Sequence, residues 1–166
     1  MVLGMSLSTL TAVHVAISLI GIVSGFIVVY GFLVGKRLDA WTGLFLFTTI
    51  LTSATGYLFP FEHLLPSHIL GLLSLIAVAI AVLARYARHM AGAWRVVYVV
   101  TACIALYFNV FVLVVQSFLK VPSLHQLAPK GSEPPFAIAH GTVLIVFVAL
   151  TTFAVKKFHP EPAYAA

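Results

Sequence analysis

Five long runs of apolar residues, separated by short polar segments, set the pattern of this chain. The five runs cover approximately residues 10–34, 41–59, 67–83, 96–119 and 135–155. No charged residue interrupts any of them. The hydrocarbon core of a bilayer is about 30 Å thick, and a helix of about 20 apolar residues crosses it. The pattern therefore predicts five transmembrane helices. Since the connections are short, neighbouring helices should be antiparallel and residues 1–166 should form a single domain.

Composition supports this interpretation. Of the 166 residues, 62% are hydrophobic and 8% are charged, and the mean hydropathy is +1.14. Soluble domains contain about one half apolar and about one quarter charged residues. We therefore predict an all-α integral membrane protein, built as a bundle of five transmembrane helices.

The basic residues are divided unevenly between the two sets of helix ends. One set carries seven of them: Lys36, Arg37, Arg85, Arg88, Arg95, Lys156 and Lys157. The other set carries only Lys120 and Lys130. Because cytoplasmic loops are enriched in Lys and Arg, this asymmetry predicts an N-terminus outside and a C-terminus in the cytoplasm. The net charge of +5 then indicates contact with lipid headgroups rather than with nucleic acid.

Five of the seven histidines fall on the predicted outer side: His14, His63, His68, His125 and His140. Three of these, His14, His68 and His140, lie on separate predicted helices. At 1.5 Å per residue, His14 and His140 lie about 6 to 8 Å below the outer boundary, and His68 lies in the first turn of its helix. Ionisable side chains at membrane depth usually have a function. We therefore predict that the three histidines form one layer, a candidate site near the periplasmic face.

Small and polar residues indicate which helix faces point into the bundle. His14, Gly21 and Gly25 lie on one stripe of the first helix, and membrane helices pack through such small residues. In the fourth apolar run, Asn109 and Gln116 lie near one face. Two interpretations stay open. Asn109 would form a hydrogen bond across helices that stabilises the bundle, or the two amides would line a cavity reaching in from the outer side and bind a quinone headgroup or a haem propionate.

Imidazole ligates haem iron, copper and zinc, and two interpretations stay open. Haem b needs two facing histidines, which His14 with His68, or His68 with His140, would supply. A copper or zinc ion would take all three, with Glu62 or His63 as the fourth ligand or as a hydrogen-bond partner of a ligand. The four carboxylates lie outside the apolar runs or at their edges, which excludes a carboxylate-bridged di-iron site within the bundle.

No enzyme motif is found: the sequence lacks HExxH, CxxCH, GxSxG, a Walker sequence and a dinucleotide-binding fingerprint. An enzymatic activity is therefore left open, and no catalytic residue is assigned.

The longest connection, KVPSLHQLAPKGSEPPF, covers residues 120–136 and contains four prolines and a glycine. This composition predicts a loop without regular helix. Near its end, Ser132 is expected to be the N-cap of the last helix, and Glu133 to be favourable beside the positive end of the helix dipole.

Three stretches, TSATGYLFPF, LPSHILG and GSEPPFAIAHG, resemble a family of small multi-span inner-membrane proteins of bacteria. The resemblance extends over nearly the whole chain. It implies a bacterial inner-membrane location, but no activity, because none is established for that family.

The residues thus support two hypotheses of different classes. In the first, the protein binds haem b or a transition metal through the outer histidines and exchanges electrons with a quinone. In the second, it is a non-catalytic accessory or assembly subunit of a larger membrane complex, and the histidines only form hydrogen bonds within the bundle.

Overall fold

A computed structural model describes residues 6–59 and 66–159, and this part of the chain contains helices and no strand. The helices are α1 Leu7–Leu33, α2 Asp39–Gly56, α3 Pro66–Val82, α4 Trp94–Lys120, α5 Pro122–Leu127 and α6 Pro134–Lys157. A π-helical turn, Leu83–Ala87, continues α3. The prediction of an all-helical bundle is confirmed.

Within the described residues, four helices are long and apolar enough to cross a membrane: α1, α3 with its π-helical extension, α4 and α6. The chain therefore has the character of a multi-pass membrane protein. The fifth long helix, α2, has 18 residues but is more polar, because it carries Asp39 and five threonines. The count of five spans and the orientation of the termini stay predictions.

The first four helices form a ring in which α1 and α3 each contact α2 and α4. The sixth helix packs outside this ring, against α4 and α1, and the short α5 packs against α4. The core of the ring is formed by side chains from all four helices, among them Val28, Phe45, Val78 and Leu106. The long helices of the described residues thus form a four-helix ring with one additional helix, α6, packed on its outside.

Gly25 allows the close approach of α1 to its neighbours. A Cβ atom at this position would lie 2.6 Å from Cδ1 of Leu106 and 2.9 Å from the ring of Phe45. Real Cβ atoms do not come so near to other heavy atoms, so only glycine fits without movement of the core. The predicted role of the small-residue stripe of α1 as a packing surface agrees with this contact.

One end of the bundle carries the seven basic residues described above, and we call it the basic end. Arg85 is buried there, 4% exposed, and forms an ion pair with Asp39. It also donates a hydrogen bond to the Tyr98 hydroxyl at 3.1 Å. Arg95 donates to the carbonyl oxygens of Val155 and Phe158 at the end of α6. The expectation that the inner basic residues contact lipid headgroups is therefore wrong for Arg85, which ties α2, α3 and α4 together.

The long connection between α4 and α6 differs from its prediction in two details. Pro122 begins the short helix α5, because proline is tolerated at the first position of a helix. Glu133, not Ser132, is the N-cap residue of α6, and its carboxylate accepts hydrogen bonds from the N–H groups of Lys130 and Ser132, each at 3.0 Å. These hydrogen bonds lower the pKa of Glu133, and the bond from the Lys130 N–H has the largest effect.

Candidate functional site

A cavity of about 560 Å³ opens at the end of the bundle opposite the basic end, where α1 and α3 begin and α2 and α4 finish. All four ring helices line it. Most of its surface is apolar, with a smaller number of polar side chains. This combination is typical of binding sites for small molecules, which are apolar clefts with a few polar groups that orient the ligand.

Two of the predicted histidines meet in this cavity. His14 lines it from α1 and His68 from α3. These helices are separated in the ring by α2 and α4, so the two imidazoles reach the cavity from different sides. Of the three histidines predicted to form one layer, His14 and His68 therefore line one cavity, and their role as cofactor ligands stays a prediction.

The hydrogen bonds of His14 indicate which of its ring nitrogens carries the proton. Its Nδ1 lies 2.8 Å from Oγ1 of Thr55. The Thr55 hydroxyl donates its own hydrogen to the Leu51 carbonyl at 2.7 Å, so its oxygen accepts from the imidazole. Nδ1 of His14 is therefore the donor, and Nε2 carries the lone pair. Thr55 orients the ring in the way that outer groups orient metal-ligating histidines.

His68 is 7% exposed, and Tyr57 positions the backbone that carries it. The Tyr57 hydroxyl donates a hydrogen bond of 2.6 Å to the His68 carbonyl, and the two rings lie 5.6 Å apart. A Cβ at Gly71 would lie 3.5 Å from the Tyr57 hydroxyl oxygen. Tyr57 thus fixes the start of α3 against the end of α2.

Asn109 and Gln116 both line the cavity from α4, as the sequence predicts. Asn109 is 8% exposed and donates from Nδ2 to Oγ1 of Thr49 at 3.2 Å. The hydroxyl oxygens of Thr52 and Ser74, two further residues of the cavity lining, are buried and have no hydrogen-bond partner among the described residues.

His140 does not line the cavity. Its ring packs on α4 and α6 between Phe111 and Phe136, with centroids 4.3 and 4.2 Å away. Its Nδ1 lies 3.1 Å from the Phe136 carbonyl oxygen. His140 is therefore separate from His14 and His68, because α6 packs outside the ring and brings its histidine to the outer face of α4.

The remaining predicted ligands, Glu62 and His63, lie outside the described residues. Within residues 6–59 and 66–159, no three His, Cys, Asp or Glu side chains are grouped so as to hold a metal ion. Whether the protein binds copper or zinc stays a prediction.

Sequence reasoning missed several polar residues that line the cavity, and two of them are Tyr57 and Lys120. The first lies just after the last turn of α2, where a tyrosine is ordinarily assigned to the membrane interface. From the sequence, Lys120 is notable only as one of the two basic residues on the less basic set of helix ends. Among the described residues that line the cavity, Lys120 is the one Lys, Arg, Asp or Glu.

Comparisons with protein families, with curated proteins and with solved structures found no match to this chain.

Proposed function

We propose that the chain is a five-span protein of a bacterial inner membrane, with its N-terminus outside and its C-terminus in the cytoplasm. Two observations support the count. The helix α2 completes the ring with α1, α3 and α4. Two of its threonines also donate to carbonyl oxygens of the same helix, Thr48 to Leu44 and Thr55 to Leu51, each at 2.7 Å, and hydroxyls satisfied in this way are compatible with lipid. The basic end then faces the cytoplasm, and the cavity opens to the outside.

We further propose that the cavity binds haem b, with His14 and His68 as axial ligands, and that the protein transfers electrons, with a quinone as exchange partner. The observation that supports this most directly is that two imidazoles on non-adjacent helices line one largely apolar cavity. A six-coordinate haem b held by a helical bundle uses two imidazoles in this way, and its iron needs no carboxylate. Pockets of 300 to 1,000 Å³ bind ligands of drug size or larger.

The proton position on His14 favours iron over a quinone carbonyl as the group it contacts. A carbonyl oxygen needs a donor, whereas Nε2 of His14 carries a lone pair once Nδ1 donates to Thr55. A lone pair is what a metal ligand requires. For His68, ligation through one ring nitrogen leaves the other nitrogen for a hydrogen bond.

Haem is also favoured over a bare copper or zinc ion. Such ions take three or four protein ligands, and the described residues bring two histidines into the cavity. His140 would have to leave its position between two phenylalanine rings to become a third ligand.

The test is the absorption spectrum of His14→Ala, His68→Ala and His140→Ala variants, purified in detergent and reconstituted with haem b. His14→Ala and His68→Ala should each lose the six-coordinate, low-spin spectrum, and free imidazole should restore it. His140→Ala is the matched control and should keep the spectrum of the unaltered protein. The proposal is refuted if the two cavity variants keep that spectrum.

A second candidate function is that of an accessory or assembly subunit in a larger membrane complex. The observation that favours it is the exposure of α6. In its apolar 18-residue stretch only 11% is buried, whereas 33 to 39% is buried in the corresponding stretches of the other three candidate spans. Its exposed residues include Ile138, Ile145, Val148 and Phe153. Two results together would support this alternative. The haem-free protein would co-purify with a larger complex at a fixed stoichiometry, and chemical cross-links would join α6 to a subunit of that complex.

A further inference from the structure

The mouth of the cavity carries a positive charge. Lys120, the last residue of α4, lines the cavity together with Gln116. The two residues are four positions apart, so they lie on one face of the helix, about 6 Å apart along its axis. Both side chains end in N–H donors. His14 lies seven residues into α1, about 10 Å from the start of that helix, so the imidazole is deeper than the ammonium group.

No carboxylate of the described residues balances this charge. Asp39 pairs with Arg85 and Arg37 at the basic end. Glu133 accepts the backbone hydrogen bonds of Lys130 and Ser132. Within the described part of the chain these are the two carboxylates, and neither forms an ion pair with Lys120.

We infer that Lys120 and Gln116 bind a carboxylate of the cavity's ligand, an inference that rests on the proposed function. The ligand class is an amphiphile with an apolar body between the histidines and acidic groups at the mouth. In haem b the acidic groups are the propionates. Charge-assisted hydrogen bonds from Lys120 would hold them and orient the macrocycle with its propionate edge toward the mouth. Lys120 is thus a positioning residue, and iron ligation remains with the imidazoles.

The experiment compares the binding of haem b and of its dimethyl ester, which lacks the negative charges, to the detergent-purified full chain freed of haem. The variants are Lys120→Gln, Lys120→Arg and, as a matched control, Lys130→Gln. Lys130 has the same charge and lies in the same connection, but it does not line the cavity. Affinities are measured from the Soret absorbance during titration.

Lys120→Gln should weaken haem b binding about tenfold, as expected for the loss of a charge-assisted hydrogen bond. Lys120→Arg and Lys130→Gln should bind as the unaltered protein does, and the ester should bind equally to all four proteins. Equal affinities of Lys120→Gln and Lys130→Gln for haem b would overturn this inference and leave the proposed function standing. If the unaltered protein bound neither porphyrin, the proposed function itself would be overturned, and the inference with it.

Discussion

Replacement of Gly25 by alanine tests the packing of the helix ring. An added Cβ would lie 2.6 Å from Leu106 Cδ1 and 2.9 Å from the Phe45 ring, so these side chains must retreat by 0.8 and 0.5 Å to reach the ordinary contact distance of 3.4 Å. Both side chains are fully buried, so their retreat displaces further core residues. Overpacking of this kind costs about 1 to 3 kcal/mol. We expect Gly25→Ala to lower the free energy of unfolding by that amount.

Gly43 provides the matched control, because a Cβ added there meets no atom within 4 Å. Since alanine favours the helix over glycine by up to about 1 kcal/mol, Gly43→Ala should be neutral or stabilising. The assay is unfolding of both variants in detergent or bicelles, followed by circular dichroism. Equal stabilities of Gly25→Ala and Gly43→Ala would contradict the described contact between α1, α2 and α4.

Three further predictions concern other parts of the molecule. Asp39→Asn removes the partner of buried Arg85 and should lower the free energy of unfolding by about 1 to 3 kcal/mol. The loss is smaller than for a fully buried pair because Asp39 is exposed. A double variant that also carries Arg85→Met should recover part of this loss in the same unfolding assay. The pKa of Glu133 is lowered from its ordinary value of 4.5, so its contribution to stability is present above that pH and is lost as the pH falls through the lower, folded-state pKa. The protection factor of the Ser132 amide, which is the exchange rate of an unstructured peptide divided by that of this amide at the same pH, should therefore fall on acidification, and Glu133→Gln should abolish this pH dependence. His140→Ala should lower the free energy of unfolding, because the His140 ring packs between two phenylalanines. The same variant should bind haem b with unchanged affinity. A weaker haem affinity, measured by titration, would place His140 in the site.

The sequence was sufficient for the long helices because each of them coincides with an apolar run of about membrane-spanning length. The apolar runs and the described helices agree within a few residues at most ends. The structure differs where a tertiary contact decides the outcome. Arg85 was assigned to the lipid surface because Arg near a helix end usually lies there, and only the fold brings Asp39 and Tyr98 beside it.

The candidate site was predicted in part for a similar reason. Position along a helix can be counted from the sequence, and His14, His68, Asn109 and Gln116 line one cavity at one end of the bundle. The position of a helix around the ring cannot be counted in this way. His140 has a suitable depth, but α6 packs outside the ring and directs it to Phe111.

The most direct test of the proposed function is the absorption spectrum of the unaltered protein, expressed in cells supplied with a haem precursor and purified in detergent. We predict one haem b per chain, with the Soret and α bands of a six-coordinate, low-spin haem that shift on reduction with dithionite. A colourless protein without haem, obtained under mild detergent conditions that preserve other b-type cytochromes, would contradict the assignment of His14 and His68 as haem ligands.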